Sequence, residues 1–169
     1  LLTAGANVDS TTDLGVTPLW LAAQNGNLDI VNTLLSAGAD PTIPLLSGET
    51  PMMTAAQAGN GAVVKVMLEA GADPNVSVTR DQTALMWAAD RGHSDVVAAL
   101  LEHGVDIEAR SLVREQYVKS EKEQDSHPSY KYWIEQGGNS ALMFAARSGD
   151  LKSAKLLIDA GSDVNQLSA

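Results

Sequence analysis

Apolar and polar residues follow one another in this chain as pairs of short helical patterns, each closed by a glycine. Between residues 17 and 38, one apolar stripe ends before Gly26 and a second ends before Gly38. Spacings of three and four residues are typical of amphipathic helices, and glycine readily takes the left-handed conformation that ends a helix. The segment therefore predicts two short helices joined by a tight turn. The apolar positions are Leu19, Ala22 and Ala23, then Leu28, Ile30, Val31, Leu34 and Leu35.

The same pattern recurs at an interval of about 33 residues, and a fixed period of this size indicates stacked supersecondary units. The tetrapeptide Thr-Pro-Leu-Trp begins at residue 17, and altered forms of it begin at residues 50, 83 and 140. The first two intervals are equal, whereas the last is longer and predicts an insertion between the third and fourth units, at residues 111–134. Such an array offers a long surface rather than one pocket, which favours binding over catalysis.

Each unit carries the same start and stop signals. Thr17 suits an N-cap, and Pro18 suits the first helical position because its missing N–H costs nothing there. Alanine pairs in the first helices, such as Ala22-Ala23 and Ala145-Ala146, predict close helix packing. Nine of the fourteen glycines fall at the two helix-ending positions: Gly26, Gly59, Gly92 and Gly149 at the first, and Gly5, Gly38, Gly71, Gly104 and Gly161 at the second.

An extended segment is predicted after each second helix. It begins at an aspartate two residues beyond the glycine, at Asp40, Asp73, Asp106 and Asp163. A glycine occupies its turn in three units, at positions 15, 48 and 138, whereas Asp81 occupies that place in the third.

The motifs T-P-L-x-x-A-A, G-N-L-D-I-V and L-L-x-A-G-A-D resemble the ankyrin repeat, over about 145 of the 169 residues. The resemblance implies an all-α solenoid, an ankyrin repeat array of helix-turn-helix units with β-turn fingers. Where the family often has histidine after T-P-L, this chain has Trp20, Met53, Met86 and Met143, so apolar contact is expected to replace the family's Thr–His hydrogen bonds. The implied division is a trailing half repeat at 1–11, repeats at 12–44, 45–77, 78–110 and 135–167, and an insertion in a finger at 111–134.

The insertion concentrates the aromatic residues of the chain. Tyr117, Tyr130, Tyr132 and Trp133 are four of its seven aromatics. One interpretation is an added recognition loop, since tyrosine and tryptophan are enriched at interfaces. The other is an elaboration that packs its own aromatics back onto the array. A short helix is predicted over Leu112–Glu123, ended by His127-Pro128.

Composition excludes several classes of function. The formal charge is −10, and all of it lies in the repeats, because residues 111–134 hold four basic and four acidic groups. Nucleic acid is therefore not an expected partner, whereas a protein with a basic or mixed-charge surface is. The absence of cysteine excludes disulfides and thiolate zinc sites, and no apolar run is long enough to predict membrane insertion. Nothing in the sequence assigns a compartment or an oligomeric state.

The histidines and other residues that could form a catalytic centre do not occur at the spacings that known catalytic motifs require. The resemblance implies a structural role for His93, because the family commonly has histidine or asparagine after this helix-ending glycine. His103 lies in a last helical turn, where a cation suits the helix C-terminus, and His127 lies in the insertion. No H-E-x-x-H, G-x-S-x-G, Walker or G-x-G-x-x-G motif occurs. The chain is therefore predicted to be no enzyme, with no catalytic, cofactor-binding or metal residues and no cofactor.

The predicted function is a non-catalytic protein–protein interaction module. The resemblance implies that the variable surface lies on the finger tips and the exposed face of the first helices. Arginines on that surface, flanked by the aromatic insertion, suggest an interface hot spot, although they could also simply pair with neighbours such as Asp81 and Asp90. The candidate partner-binding residues are Leu14, Val16, Gln24, Asn25, Leu46, Glu49, Gln57, Arg80, Gln82, Asp90, Arg91, Tyr117, Tyr130, Tyr132, Trp133 and Arg147.

An alternative interpretation is a structural or regulatory ankyrin segment of a larger multidomain protein, with no free partner. The chain starts inside a repeat, so a longer parent chain is expected, and the sequence flanking residues 1 and 169 would distinguish the two interpretations.

Overall fold

Four helix pairs form the body of the protein. The computed structural model describes residues 6–119 and 131–167, so Gly5, His127 and Tyr130 lie outside the described residues. Within these ranges the expected all-α repeat solenoid is confirmed. The pairs are α1 (Pro18–Gln24) with α2 (Leu28–Ser36), α3 (Pro51–Ala58) with α4 (Gly61–Glu69), α5 (Ala84–Arg91) with α6 (Ser94–Glu102), and α7 (Ala141–Ser148) with α8 (Leu151–Asp159).

The predicted capping residues start and stop these helices. The Thr17 hydroxyl accepts a hydrogen bond from the Trp20 N–H at 3.0 Å, and Thr50 and Thr83 cap α3 and α5 in the same way. The glycines at the helix ends have positive φ, for example +80° at Gly59. Because these signals act over three or four residues, each unit can set its own helix limits.

The helices stack in two layers. The first helices α1, α3, α5 and α7 pack in one row, and α2, α4, α6 and α8 pack in the other. The alanine pairs of α1, α3 and α5 are buried, and Met53 and Met86 are fully buried where the family often has histidine. Ala146 is exposed, contrary to the expectation for its pair, because no further first-layer helix is described beyond α7.

The fingers form a row beside the first helices. The third finger pairs strands β1 (Ser77–Val78) and β2 (Gln82–Thr83) across a tight turn in which Arg80 and Asp81 have φ of +71° and +52°. Its neighbours have glycine there, as predicted. Backbone hydrogen bonds join adjacent fingers, from the Leu46 N–H to the Leu14 carbonyl at 3.1 Å and from the Leu112 N–H to the Arg80 carbonyl at 2.7 Å.

The aspartates that open the fingers hold local turns. Asp40, Asp73, Asp106 and Asp163 each accept a hydrogen bond from the N–H two residues later, at 2.8 to 2.9 Å. The hydroxyl and N–H of Thr42 both donate to Asp40 and lower the pKa of that carboxyl. The recurrence of these carboxylates therefore has a structural cause in every unit.

The insertion contains two paired strands, so the helix predicted over Leu112–Glu123 is wrong for residues 112–119, and residues 120–123 lie outside the described residues. Strand β3 (Arg114–Lys119) pairs antiparallel with β4 (Lys131–Gln136), and these two strands are called the arm below. Half of β4 and two residues of β3 are aromatic or β-branched, and such residues favour a pleated sheet once a pairing strand is available. At the foot of the arm, the Ser111 N–H donates to the Asn139 carbonyl at 3.1 Å, so the arm prolongs the fourth finger.

Replacing residues 113–136 by a two-residue Asn-Gly turn is expected to leave the array folded. Helix α7 packs directly on α5, so the stacking of the third and fourth units does not pass through the arm. Buried Ser111 is kept because its hydroxyl accepts from the Asn139 N–H. Circular dichroism should show unchanged helicity, and the melting temperature should fall by no more than a few degrees. Loss of helicity on deletion would show that the arm is part of the packed body of the array.

Candidate protein-interaction surface

The candidate residues on the fingers and first helices form a partly exposed surface along the array. Leu14 and Leu46 are the most exposed apolar members, at 65% and 79% of their full accessible area. Their fingers are joined by a backbone hydrogen bond, so the two leucines belong to neighbouring tips. Of the remaining candidates, Gln24, Asn25, Arg80, Asp90, Arg91 and Arg147 are exposed, and Val16, Glu49, Gln57 and Gln82 are half-buried.

Two candidates hold residues of the helix that follows them. The Gln82 amide oxygen accepts a hydrogen bond from the Trp87 indole N–H at 3.1 Å. One unit earlier, the Glu49 carboxylate accepts from the Thr54 hydroxyl at 2.8 Å. Both bonds run from the residue before the N-cap to the second turn of the first helix. They fix the conformation of side chains where finger and helix meet.

Arg147 is held by two neighbours. Its guanidinium donates to the Asp90 carboxylate at 2.6 Å and lies 4.8 Å from the centre of the Phe144 ring. The side chains of Arg147 and Asp90 keep 62% and 42% of their accessible area, so the ion pair adds little stability. Of the two roles considered for this arginine, the structure shows the salt bridge. The bridge nevertheless orders both side chains at the junction of α5 and α7.

The other two arginines lie on different elements, a helix and a finger tip. Arg91 is exposed in the last turn of α5, next to Asp90. Arg80 lies at the tip of the third finger, where its carbonyl accepts from the Leu112 N–H beside the foot of the arm. The structure therefore brings Arg147 to Asp90 and places Arg80 near the arm. It joins none of the three arginines in one cluster.

Three of the four predicted aromatic residues lie in the arm. The strand register makes Tyr117 the partner of Trp133 and Val118 the partner of Tyr132. The paired strands make the arm a regular ribbon rather than an irregular loop. Tyr130 lies outside the described residues.

Two further aromatic residues belong to this surface but were absent from the sequence-based set. Trp87 is half-buried, and Phe144 is buried beneath Arg147. Both occupy the repeat position that also holds Leu21 and Thr54, so the residue type changes in every unit. This variation between units is the sequence signal of a surface position. It is easily missed because the same residues also have the helical spacing of core positions.

The outer layer, which is the row of second helices α2, α4, α6 and α8, carries charged side chains that pair between helices. A shallow groove of about 320 Å³ lies between α4 and α6, lined among others by Lys65, Asp95 and Glu102. Lys65 pairs with Glu102 at 3.7 Å, and Lys152 pairs with Asp95 at 2.9 Å. The Lys152 ammonium lowers the pKa of Asp95, first by its hydrogen bond and then by its charge. These pairs link successive outer helices.

The histidines of the array have structural partners. His93 makes a hydrogen bond to the Gln57 carbonyl at 3.2 Å, and His103 makes one to the Ala99 carbonyl at 2.8 Å. In the ranges 6–119 and 131–167, no group of three histidine, cysteine, aspartate or glutamate residues is arranged to hold a metal ion.

Comparison with known protein families matches the body of the chain. A model for three ankyrin repeats covers residues 43–111, and a model for the single ankyrin repeat covers residues 14–44 and 137–169. The stretch between residues 111 and 137, which contains the arm, lies between the matched segments. A search of curated proteins found no match. Of the helices that the structure describes, none is long and apolar enough to cross a membrane.

Proposed function

The chain belongs to the ankyrin repeat family, whose members generally mediate protein–protein interaction and are typically non-catalytic, and we propose that it is itself a protein-recognition module that binds through the surface of its third and fourth repeats. The proposed surface joins the exposed side of α5 and α7 to the neighbouring finger tips and the arm. Its occupant is another protein with a basic or mixed-charge surface, because the repeats carry the whole charge of −10.

The observation that carries this proposal is the fixed group around Trp87 and Arg147. Gln82 holds the indole of Trp87, while Asp90 and Phe144 hold the guanidinium of Arg147. Trp87 and Asp90 are three residues apart on α5, so they are neighbours on the helix surface. Tryptophan and arginine are the residue types most enriched among binding hot spots. Side chains ordered before binding lose less conformational entropy when a partner docks.

Basic residues near this group add the second sign of charge that a mixed-charge partner requires. Exposed Arg91 and the finger residue Arg80 supply positive charge in an otherwise acidic array. The arm begins beside the third finger, because the Leu112 N–H donates to the Arg80 carbonyl. A partner with alternating acidic and basic groups would therefore find complementary charges here.

Replacing Trp87 and Arg147 together by alanine is expected to weaken partner binding by at least tenfold. The partner would first be isolated with the unaltered protein and its affinity measured by titration calorimetry. Parallel titrations would use Arg91→Ala with Trp133→Ala, which tests the flanking residues. Binding of this second variant within twofold of the parent would remove Arg91 and the arm from the surface.

The matched control changes Lys65 and Lys155 to alanine on the outer helices. Both lysines are exposed and belong to the other helix layer, so partner affinity should stay within twofold. Equal binding by the Trp87/Arg147 variant and this control would contradict the proposed surface. If no partner binds the isolated array, the segment is better explained as a regulatory part of a longer chain.

A further inference from the structure

The tips of the first two fingers each present a leucine that is largely exposed. Leu14 keeps 65% of its accessible area and Leu46 keeps 79%. Scattered leucines are normal on a protein surface, whereas apolar side chains that adjoin one another mark a contact site. These two residues, called the leucine tips below, lie outside the surface proposed for the third and fourth repeats. They therefore need an explanation of their own.

The backbone holds the leucine tips side by side. The Leu46 N–H donates to the Leu14 carbonyl at 3.1 Å, which limits the distance between the two Cα atoms to about 6 Å. Gly15 also packs closely on the second finger. A Cβ added to it would lie 3.1 Å from the Pro44 carbonyl oxygen and 3.3 Å from the Leu45 Cα. The two leucines therefore lose little backbone freedom when a partner docks.

The part of the chain that carries the leucine tips has charges of one sign. The first 64 residues contain no lysine, arginine or histidine, and Lys65 is the first basic residue. The acidic residues of this segment are Asp9, Asp13, Asp29, Asp40 and Glu49. Exposed Asp13 directly precedes Leu14, and half-buried Glu49 belongs to the same finger as Leu46. A segment whose only charges are carboxylates attracts cationic groups.

We propose that the leucine tips bind a basic amphipathic helix of a partner protein. The apolar stripe of such a helix has holes between its side chains, and protruding side chains pack into holes of this kind. Successive turns of a helix are about 5.4 Å apart, which is close to the separation of the two leucines. Lysine or arginine residues beside the stripe complement the charges of Asp13 and Glu49. An acidic helix would instead be repelled.

Binding of the helix requires both its apolar stripe and its charge. Two leucines bury too little area for a stable complex alone, since a standard stable interface needs roughly 800 Å² per partner. Attraction between the acidic fingers and the basic side chains of the helix adds affinity, and this attraction weakens as salt screens the charges. The dissociation constant for a single helix is therefore expected to be on the order of 0.1 mM at low salt.

A synthetic helix tests the proposal. The probe is a fluorescein-labelled amphipathic peptide with leucines at helical spacing and lysines beside them, and its binding to the protein is followed by fluorescence anisotropy. Leu14→Ser with Leu46→Ser should weaken binding at least tenfold, because both protruding side chains are lost. Asp13→Asn with Glu49→Gln should weaken it at least threefold and reduce its dependence on salt. Glu49→Gln retains an oxygen that can accept from the Thr54 hydroxyl, so the contact between finger and helix is kept.

The matched control is Leu151→Ser with Leu167→Ser, which removes two leucines of similar exposure, 67% and 85%, from the fourth repeat. Its affinity for the probe should stay within twofold of the parent. The proposal is overturned if the leucine-tip variant binds like this control, or if a probe with glutamate in place of lysine binds as tightly. Self-association of the parent that the leucine-tip variant abolishes would assign the tips to a second copy instead. Trp87→Ala with Arg147→Ala should bind the probe like the parent, so this proposal and the proposed function can fail separately.

Discussion

Replacing Ala89 by leucine is expected to lower the free energy of unfolding by about 1–3 kcal/mol. Ala89 is fully buried on α5, and its carbonyl accepts a hydrogen bond from the Ser148 hydroxyl of α7 at 2.9 Å. The backbone of α5 is therefore so close to α7 that the three carbon atoms added by leucine have no space. Urea titration should show a lower midpoint with an unchanged slope. Ala56, equally buried on α3, should respond in the same way.

Ala146→Leu provides the matched control for this prediction. Ala146 holds the position in α7 that Ala89 holds in α5, but it is exposed. Leucine there should change the free energy of unfolding by less than about 0.5 kcal/mol, as is usual for surface substitutions. If Ala89→Leu were as neutral as Ala146→Leu, the close approach of α5 and α7 would be incorrect.

Replacing Gly137 by alanine is expected to open the foot of the arm, at a local cost of about 2 kcal/mol or more. Gly137 has a φ of +128°, a conformation that residues with a Cβ rarely adopt. An added Cβ would also lie 2.9 Å from the Val113 Cα, and backbone atoms there cannot move aside as a flexible side chain would. Hydrogen exchange should accelerate in β3 and β4, while the helices keep their protection because they pack independently of the arm.

Gly104→Ala separates the clash from the backbone strain. Gly104 has a φ of +71°, but nothing lies within 4 Å of the added Cβ. This variant should lose only about 1 kcal/mol, which is the cost of the left-handed conformation. If hydrogen exchange in the arm were unchanged in the Gly137→Ala variant, the backbone of Gly137 would not lie as close to that of Val113 as described.

Local signals explain why much of the array was predictable. The threonine caps, the first-position prolines and the helix-ending glycines act within a few residues, and those among the described residues appear where the sequence placed them. The constant repeat period then implied that similar units stack on one another, because a single unit cannot bury its apolar side alone. Asp81 also has positive φ, like the glycines at the same place in the other fingers, because the repeat requires a left-handed residue at this turn.

The interaction surface was predictable only in part. Variable positions identified Asp90 and Arg147, and pairing of an arginine with Asp90 was one of two alternatives, but the sequence could not choose Arg147 as the partner, since 57 residues separate the two. The insertion breaks the regular register at this junction, and stacking alone brings the two side chains to 2.6 Å. Trp87 has the spacing of a core residue, and its half-buried position depends on how α5 lies against the third finger.

The arm marks the boundary between what the sequence alone determined and what required the tertiary structure. Residues 112–123 offer no decisive local signal, so a helix was as acceptable as a strand when that segment was considered alone. The second strand begins at Lys131, twelve residues after the first ends, and their pairing supplies hydrogen bonds that neither strand can make alone. The sequence therefore determined the repeated units, whose signals are local. The tertiary structure decided the arm and the contacts between units, because both join residues that are distant along the chain.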